Sequence, residues 1–439
     1  MRKESALGIQ IPVTYLPKPG IDLSRWAVIA CDQYTSQPEY WKSVADLVGS
    51  APSTYHLILP EVYLNSPEES SRVRSTQEAM RTYLADGILE PHEELIYVER
   101  SVDGRTRRGI MLALDLEAYD FTPVSQSLIR ATEGTILDRL PPRMRIREGA
   151  PLELPHILVL IDDPQDRVIG SIEAAKETLP LAYDFDLMQG SGHLTARFVD
   201  NQALEDKVID SLKELASRQV FYPKYNVSTE KGVLLFAVGD GNHSLATAKS
   251  IWEKIKPQVG MDHPARYALV EIENIHDRGL EFAPIHRVLF NVQSNPLDAL
   301  RTAFPGKVTL SPTANAEDMQ AAVTGYSGAD HVFGIITPQG CYTACIQSPS
   351  ANLAVGSLQP VLDSCMKAGF ADSIDYVHGD DIVVDLGSQA GNIGFFLPAM
   401  AKGELFRTVM LDGVLPRKTF SMGEAHEKRF YMEARKITE

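Results

Sequence analysis

A chain of 439 residues with 44% hydrophobic content is long enough to bury two or three cores. Its 42 basic against 58 acidic residues give a net charge of -16, which argues against a protein whose main work is coating nucleic acid, because phosphate contacts need a positive field, and leaves room only for a local basic patch. The basic start MRKESALGIQIPVTYLP lacks an apolar core of signal-peptide length, and no run reaches the roughly 18–20 apolar residues of a bilayer crossing, so the expected compartment is the cytoplasm, without a membrane partner.

In chain order, Cys31-Asp32-Gln33-Tyr34 follows the apolar Ala27–Ala30, as polar groups do where a strand ends at a site. Ser75 to Ala85 reads as a helix, with Ser75 and Glu78 as a capping box and Gly87 as its stop. Strands are expected at Ile96–Glu99 and Ile110–Leu114. Thr132-Glu133-Gly134-Thr135 sets a carboxylate between two hydroxyls, suited to metal or phosphate chemistry and equally to a turn whose hydroxyls satisfy the backbone. Leu140 to Arg147 reads as a loop. If extended, it turns Arg143, Arg145 and Arg147 to one side, as an anion clamp or as a solvated loop paired with nearby carboxylates.

A strand at Ile157–Ile161 and a helix from Ala203 to Ser217 follow, the latter striped by Leu204, Val208, Leu212 and Leu215. The apolar Leu234–Val238 then leads into Gly239-Asp240-Gly241-Asn242-His243-Ser244, after which Leu245, Ala248, Trp252 and Ile255 recur at helical spacing. Two glycines permit a tight turn and close approach of a ligand, and the unpaired N–H groups of the helix start favour an anion. The plain alternative is a strand–turn–helix corner capped by Asn242 or Ser244.

Farther on, strands are expected at Tyr267–Ile272, Val332–Ile336, Ile382–Asp385 and Gly394–Leu397. His286-Arg287 enters the apolar Val288-Leu289-Phe290, where an anion would offset its burial, and His378 lies beside Asp380 and Asp381. Cys31, Cys341, Cys345 and Cys365 fit neither a disulfide framework nor a zinc site and read as buried thiols. The nucleophile elbow, the lysine-bearing phosphate loop and the dinucleotide fingerprint are absent. The irregular mixture of elements indicates an α+β or mixed α/β fold, divided as an N-terminal α/β region (1–125), a core carrying the turn (126–292) and a C-terminal α/β subdomain (293–439).

Several of these segments, in order, resemble the prokaryotic family catalogued as domain of unknown function 1015. Leu89-Glu90-Pro91 through Val98, with Arg108-Gly109, is similar to its early strand pair, and Glu133 and Thr135, near Arg130, to its H-E-x-T element. Ile157 to Pro164 is similar to its apolar strand ending in D-P, and Asp240 to Ser244 stands where its D-G-H-H-R signature falls. Leu280 to Arg287 resembles L-x-x-x-P-x-H-R, Tyr376, His378 and Gly379 a later element, and Pro416, Lys418, Thr419 and Phe420 the P-x-K-S-T segment. The signature followed by a helix also resembles, more faintly, the phosphate-binding box of the ParB and sulfiredoxin superfamily, which includes free-serine kinases.

These resemblances imply a ParB/sulfiredoxin-like nucleotide-binding core with added N- and C-terminal α/β elements. They also imply a phosphotransferase that uses ATP or ADP with Mg²⁺ on a small hydroxyl compound, serine or phosphoserine leading. Glu133, Asp240 and His243 would be catalytic, and Gly239, Gly241, Asn242, Ser244, His286 and Arg287 would bind phosphate. Asp32, Arg130, Thr135, Arg143, His378 and Lys418 would support them. The alternatives are a nucleotide-responsive binding protein without chemistry and a metal-dependent hydrolase using Glu133, His243, His286 and His378. Ser244 replaces the signature's arginine and Asn242 its first histidine, which removes a bidentate phosphate fork and a possible acid or base.

Overall fold

The computed structural model describes residues 2–439. The chain folds into two compact units, Met1–Leu280 with Gly423–Glu439, and Glu281–Met422. The division therefore does not run through three consecutive segments, and the expected boundary near Asn291–Asn295 falls inside the second unit.

The first unit is built on a mixed sheet whose main path runs, by strand, Leu181–Asp186, His193–Val199, Leu95–Val102, Arg105–Asp115, Tyr267–Asn274, Leu158–Ile161, Phe236–Asp240, Ile129–Ala131 and Tyr119–Asp120. The central strands are buried on both faces, so strand alternation sorts side chains between two cores. Ile110, Leu112, Leu114, Val270 and Ile272 join one core with Val208, Leu212 and Trp252. Ile96, Val98, Met111 and Leu269 join the other, with Trp26, Trp41 and Tyr431. The second unit carries a six-stranded antiparallel sheet in the order Val308–Pro312, Gly340–Ile346, His331–Thr337, Ile393–Phe396, His286–Phe290 and Ser373–Val377. The fold is thus mixed α/β. Among the described residues no helix is long and apolar enough to cross a membrane.

Several sequence expectations are corrected. The helix read from Ser75 begins at Glu69 and runs to Ala85, which places Ser75 in its interior and removes the capping box. Ile382–Asp385 is not a strand but part of the helix Asp380–Gly387, a short apolar run that periodicity alone does not distinguish. The arginine loop is a helix, Leu140–Arg147, opened by two prolines that suit a first turn. Of the four thiols, only Cys365 is buried; Cys31, Cys341 and Cys345 are half-buried.

The C-terminal segment threads the first unit. Phe430–Tyr431 pairs with Val28–Ile29, and Arg435–Lys436 with Leu152–Glu153. Buried charges hold it there. Arg429 donates to Glu271 Oε2 at 2.7 Å and Glu433 Oε2 at 2.6 Å, while Arg435 donates to Glu153 Oε1 at 2.7 Å. Burial alone would lower the Arg429 pKa, but the Glu433 and Glu271 carboxylates outweigh it and raise it.

Beside this network Arg107 is ion-paired with Glu273, in a geometry that leaves Arg107 Nε and both Glu273 oxygens without a hydrogen bond. Burial pushes the Glu273 carboxyl up to about 8 against the pull of Arg107. A carboxyl raised in the folded state contributes stability that is present below its unfolded pKa and lost as pH rises through about 8. The urea midpoint of the wild type is expected to fall across that window more than that of Glu273→Gln. In contrast, Arg429→Met, which strands two buried carboxylates, is expected to cost roughly 3–5 kcal/mol in equilibrium unfolding.

Candidate functional site

The strand Phe236–Asp240 passes through Gly241 into the helix Asn242–Val259. Gly241 adopts φ 79°, and a Cβ there would lie 3.0 Å from both Cα and Cγ1 of Ile157. Both its backbone conformation and its neighbour therefore demand glycine. No side chain caps the helix, so its first N–H groups keep the partial positive charge that attracts an anion. Neither Asn242 nor Ser244 acts as the cap expected of a plain corner.

Asn242 faces inward instead, and its Oδ1 accepts from Thr132 N at 3.2 Å. His243 Nε2 accepts from Ile136 N at 3.2 Å. Residues 132–136 are thus tied to the turn at both ends, which brings the segment of Glu133 and Thr135 to Asp240 and His243. Thr132 Oγ1 donates to Val238 O at 2.6 Å, as in the backbone-satisfying reading of that segment.

The C-terminal segment supplies two groups that no local pattern announces. Lys428 Nζ lies 3.1 Å from Asp240 Oδ2. Burial would raise the Asp240 carboxyl, but the Lys428 ammonium, His156 and the Gly241 N–H bring it below its ordinary value. A carboxylate so stabilised is a poor proton acceptor, and it suits positioning Lys428 better than general-base chemistry. Tyr431 OH is 2.7 Å from His156 Nδ1, and His156 Nε2 is 3.0 Å from Ser244 Oγ and 4.0 Å from Asp32 Oδ2. Asp32, at the end of the strand Val28–Ile29, therefore belongs to this cluster. Beside it opens a cavity of about 140 Å³, lined by Cys31, Glu61, Arg143, His156, Ser244 and Tyr431 among others.

The remaining predicted residues are engaged with other partners or belong to the second unit. Arg143 pairs with Glu61, Arg145 with Glu69 at 2.8 Å, and Arg147 with Glu153. The carboxylate-paired reading of this segment describes them, and the anion clamp does not. Arg130 is buried and donates to Ser127 O and Gly232 O, bracing two loops. His286, Arg287, His378 and Lys418 belong to the second unit. There Arg287 is fully buried, donating to Gln359 Oε1 at 3.0 Å and Arg417 O at 3.2 Å and lying over the Tyr376 ring. His286 is bonded to Asp380 at 3.1 Å and to Leu397 N at 3.1 Å. Lys418 is exposed. Among the described residues, no group of three or more His, Cys, Asp and Glu side chains is arranged to hold a metal ion.

His156, Lys428 and Tyr431 escaped sequence reasoning. His156 precedes the predicted strand at Ile157, which is the one local signal available. The other two lie far along the chain from the turn.

A family model described as protein of unknown function (DUF1015) matches residues 15–365, and the chain belongs to that family. No curated protein matches it. Among solved structures, a conserved hypothetical protein from Pyrococcus furiosus is 12% identical, with 75% of this chain and 95% of that chain covered, at a TM-score of 0.38. A free serine kinase mutant in complex with ADP is 10% identical, with 75% and 92% covered, at a TM-score of 0.40. SbnI with C-terminal truncation, from Staphylococcus aureus, is 10% identical, with 75% and 87% covered, at 0.37.

The geometry of the turn yields a direct test. Gly241→Ala forces a left-handed residue against Ile157 and is expected to cost at least about 1–2 kcal/mol in urea unfolding.

Proposed function

We propose that the chain is a nucleotide-dependent phosphotransferase acting on a small hydroxyl compound, with free serine, or phosphoserine in the reverse direction, as the leading substrate. The observation that carries this reading is the uncapped start of the Asn242–Val259 helix, entered through Gly241 and flanked by the Lys428 ammonium. An anion there would meet backbone N–H groups and a cation without needing the arginine that Ser244 replaces. Phosphoryl transfer asks chiefly for such positioning and charge neutralisation. The resemblance of Asp240 to Ser244 to the ParB/sulfiredoxin phosphate box supports a nucleotide as the phosphate's carrier and a core of that type around it.

ATP or ADP would bring Mg²⁺ on its own phosphate oxygens, a mode that needs only one or two protein carboxylates and no protein cage. Asp240, Asp32, Glu61 and Glu133 are among the carboxylates of this neighbourhood. The metal-dependent hydrolase has no such support: among the described residues, no group of three or more His, Cys, Asp and Glu side chains is arranged to hold a metal ion. Binding without chemistry is favoured by one feature, the pairing of Arg143, Arg145 and Arg147 with carboxylates, which leaves Lys428 as the cation at the turn.

Calorimetric titration with ATP and ADP, with and without Mg²⁺ and serine, followed by mass analysis of the products, tests the proposal. Phosphoserine formed with matching loss of nucleotide phosphate is expected, whereas tight binding of unaltered nucleotide would shift the assignment to a binding protein. Lys428→Ala and His243→Ala are each expected to weaken nucleotide binding by roughly 1–3 kcal/mol, as for loss of a charge-assisted hydrogen bond. Unchanged affinity in both variants would remove the turn as the site.

A further inference from the structure

Ser244 stands in the third position of its helix, where the family signature carries arginine, and it has acquired a histidine partner. Its Oγ lies 3.0 Å from His156 Nε2, and the other ring nitrogen lies 2.7 Å from Tyr431 OH. The hydrogen-bond directions around this ring follow from Tyr431. Its hydroxyl accepts from Cys31 N at 3.2 Å and donates to Cys31 Sγ at 3.1 Å. Burial pushes the Cys31 thiol up, so the sulfur is not a thiolate, and the tyrosine burial likewise keeps its phenol protonated. With the tyrosine proton directed at sulfur, the phenol oxygen accepts from His156 Nδ1–H. That assignment leaves Nε2 with its lone pair facing Ser244 Oγ–H.

A hydroxyl, a ring nitrogen free to accept its proton and a third group fixing the ring's tautomer form the arrangement that activates a serine nucleophile. Asp32 Oδ2, 4.0 Å from Nε2, stands where it would stabilise the imidazolium that results. Ser244 also lines the cavity of about 140 Å³ beside the cluster, so an incoming group has room.

From this geometry we infer that Ser244 is a covalent phosphoryl acceptor, the nucleophile of a phosphoserine intermediate within the proposed transfer. The inference rests on the phosphotransferase reading and specifies its route. In the first step Ser244 Oγ attacks the terminal phosphorus of a bound nucleoside triphosphate and its proton passes to His156 Nε2. The bond from that phosphorus to the bridging oxygen breaks, and its electron pair leaves with the nucleoside diphosphate. In the second step the acceptor hydroxyl attacks the phosphoserine phosphorus and gives its proton to Asp32. The P–Oγ bond breaks, and His156 returns its proton to Ser244. The phosphoserine dianion would sit at the start of a helix and near Lys428, where both the dipole and the ammonium favour it.

The test uses the full chain with ATP labelled on the terminal phosphate and Mg²⁺, without acceptor, read by intact mass and peptide mapping, then chased with serine. One phosphate on Ser244, discharged to serine in the chase, is the expected result. His156→Gln is expected to slow the labelling by about a hundredfold or more, as for removal of a general base, while retaining nucleotide affinity. Ser244→Ala, checked for native unfolding behaviour, is expected to bind ATP and take no label. Label on another residue, or turnover by wild type through an unlabelled Ser244, would overturn the inference while leaving the phosphotransferase reading in place. Failure of the wild type to bind any nucleotide would overturn both.

Discussion

The guanidinium of Arg429 is the point on which the first unit turns. It is removed from water between Glu271, on a central strand, and Glu433, on its own segment, and it also donates to Pro155 O at 2.6 Å. A buried charge is costly unless its partners are in place, so the segment tolerates little displacement once folded. Lys428, one residue earlier, and Tyr431, two residues later, inherit that fixed register. The positive charge at the turn and the group that orients His156 are therefore set by an ion pair that takes no part in the site's own chemistry.

The same segment is joined to a second network of charges. Arg435 donates to Glu153, whose other oxygen takes Arg147 from the Leu140–Arg147 helix, and that helix also sends Arg143 to Glu61 at the cavity wall. Charges that a reading of the sequence would offer to a ligand are instead spent on holding elements together. Beside the turn stand the uncapped helix start and the Lys428–Asp240 pair.

Much of the fold was legible because its central strands and two long helices obey simple periodicity. The Ala203–Ser217 stripe becomes the helix Gln202–Ala216, and the strand–turn–helix at 234–255 stands with a boundary shift of two residues on its strand. Periodicity failed where a run was too short to decide, as at Ile382–Asp385, and where prolines were read as loop formers although they open the helix at Leu140. At the site, the glycine turn and Asp32 were visible because their residue types are unusual in context. Lys428 and Tyr431 were not, because a lone lysine and a lone tyrosine carry no pattern. Their meaning lies in pairings with Asp240 and His156, far back along the chain, and no local rule reaches that far.

The second unit, 281–422, is an insertion between two parts of the first. During synthesis the sheet that carries Asp240, and the helix that carries Ser244, can be complete before Lys428 and Tyr431 have left the ribosome. Until then His156 lacks its orienting hydroxyl and Asp240 its counter-ion. The chain thus carries its own completion signal: a polypeptide interrupted anywhere within the inserted unit holds the glycine turn but neither Lys428 nor Tyr431. The order of translation then decides when the surroundings of His156 and Asp240 are complete.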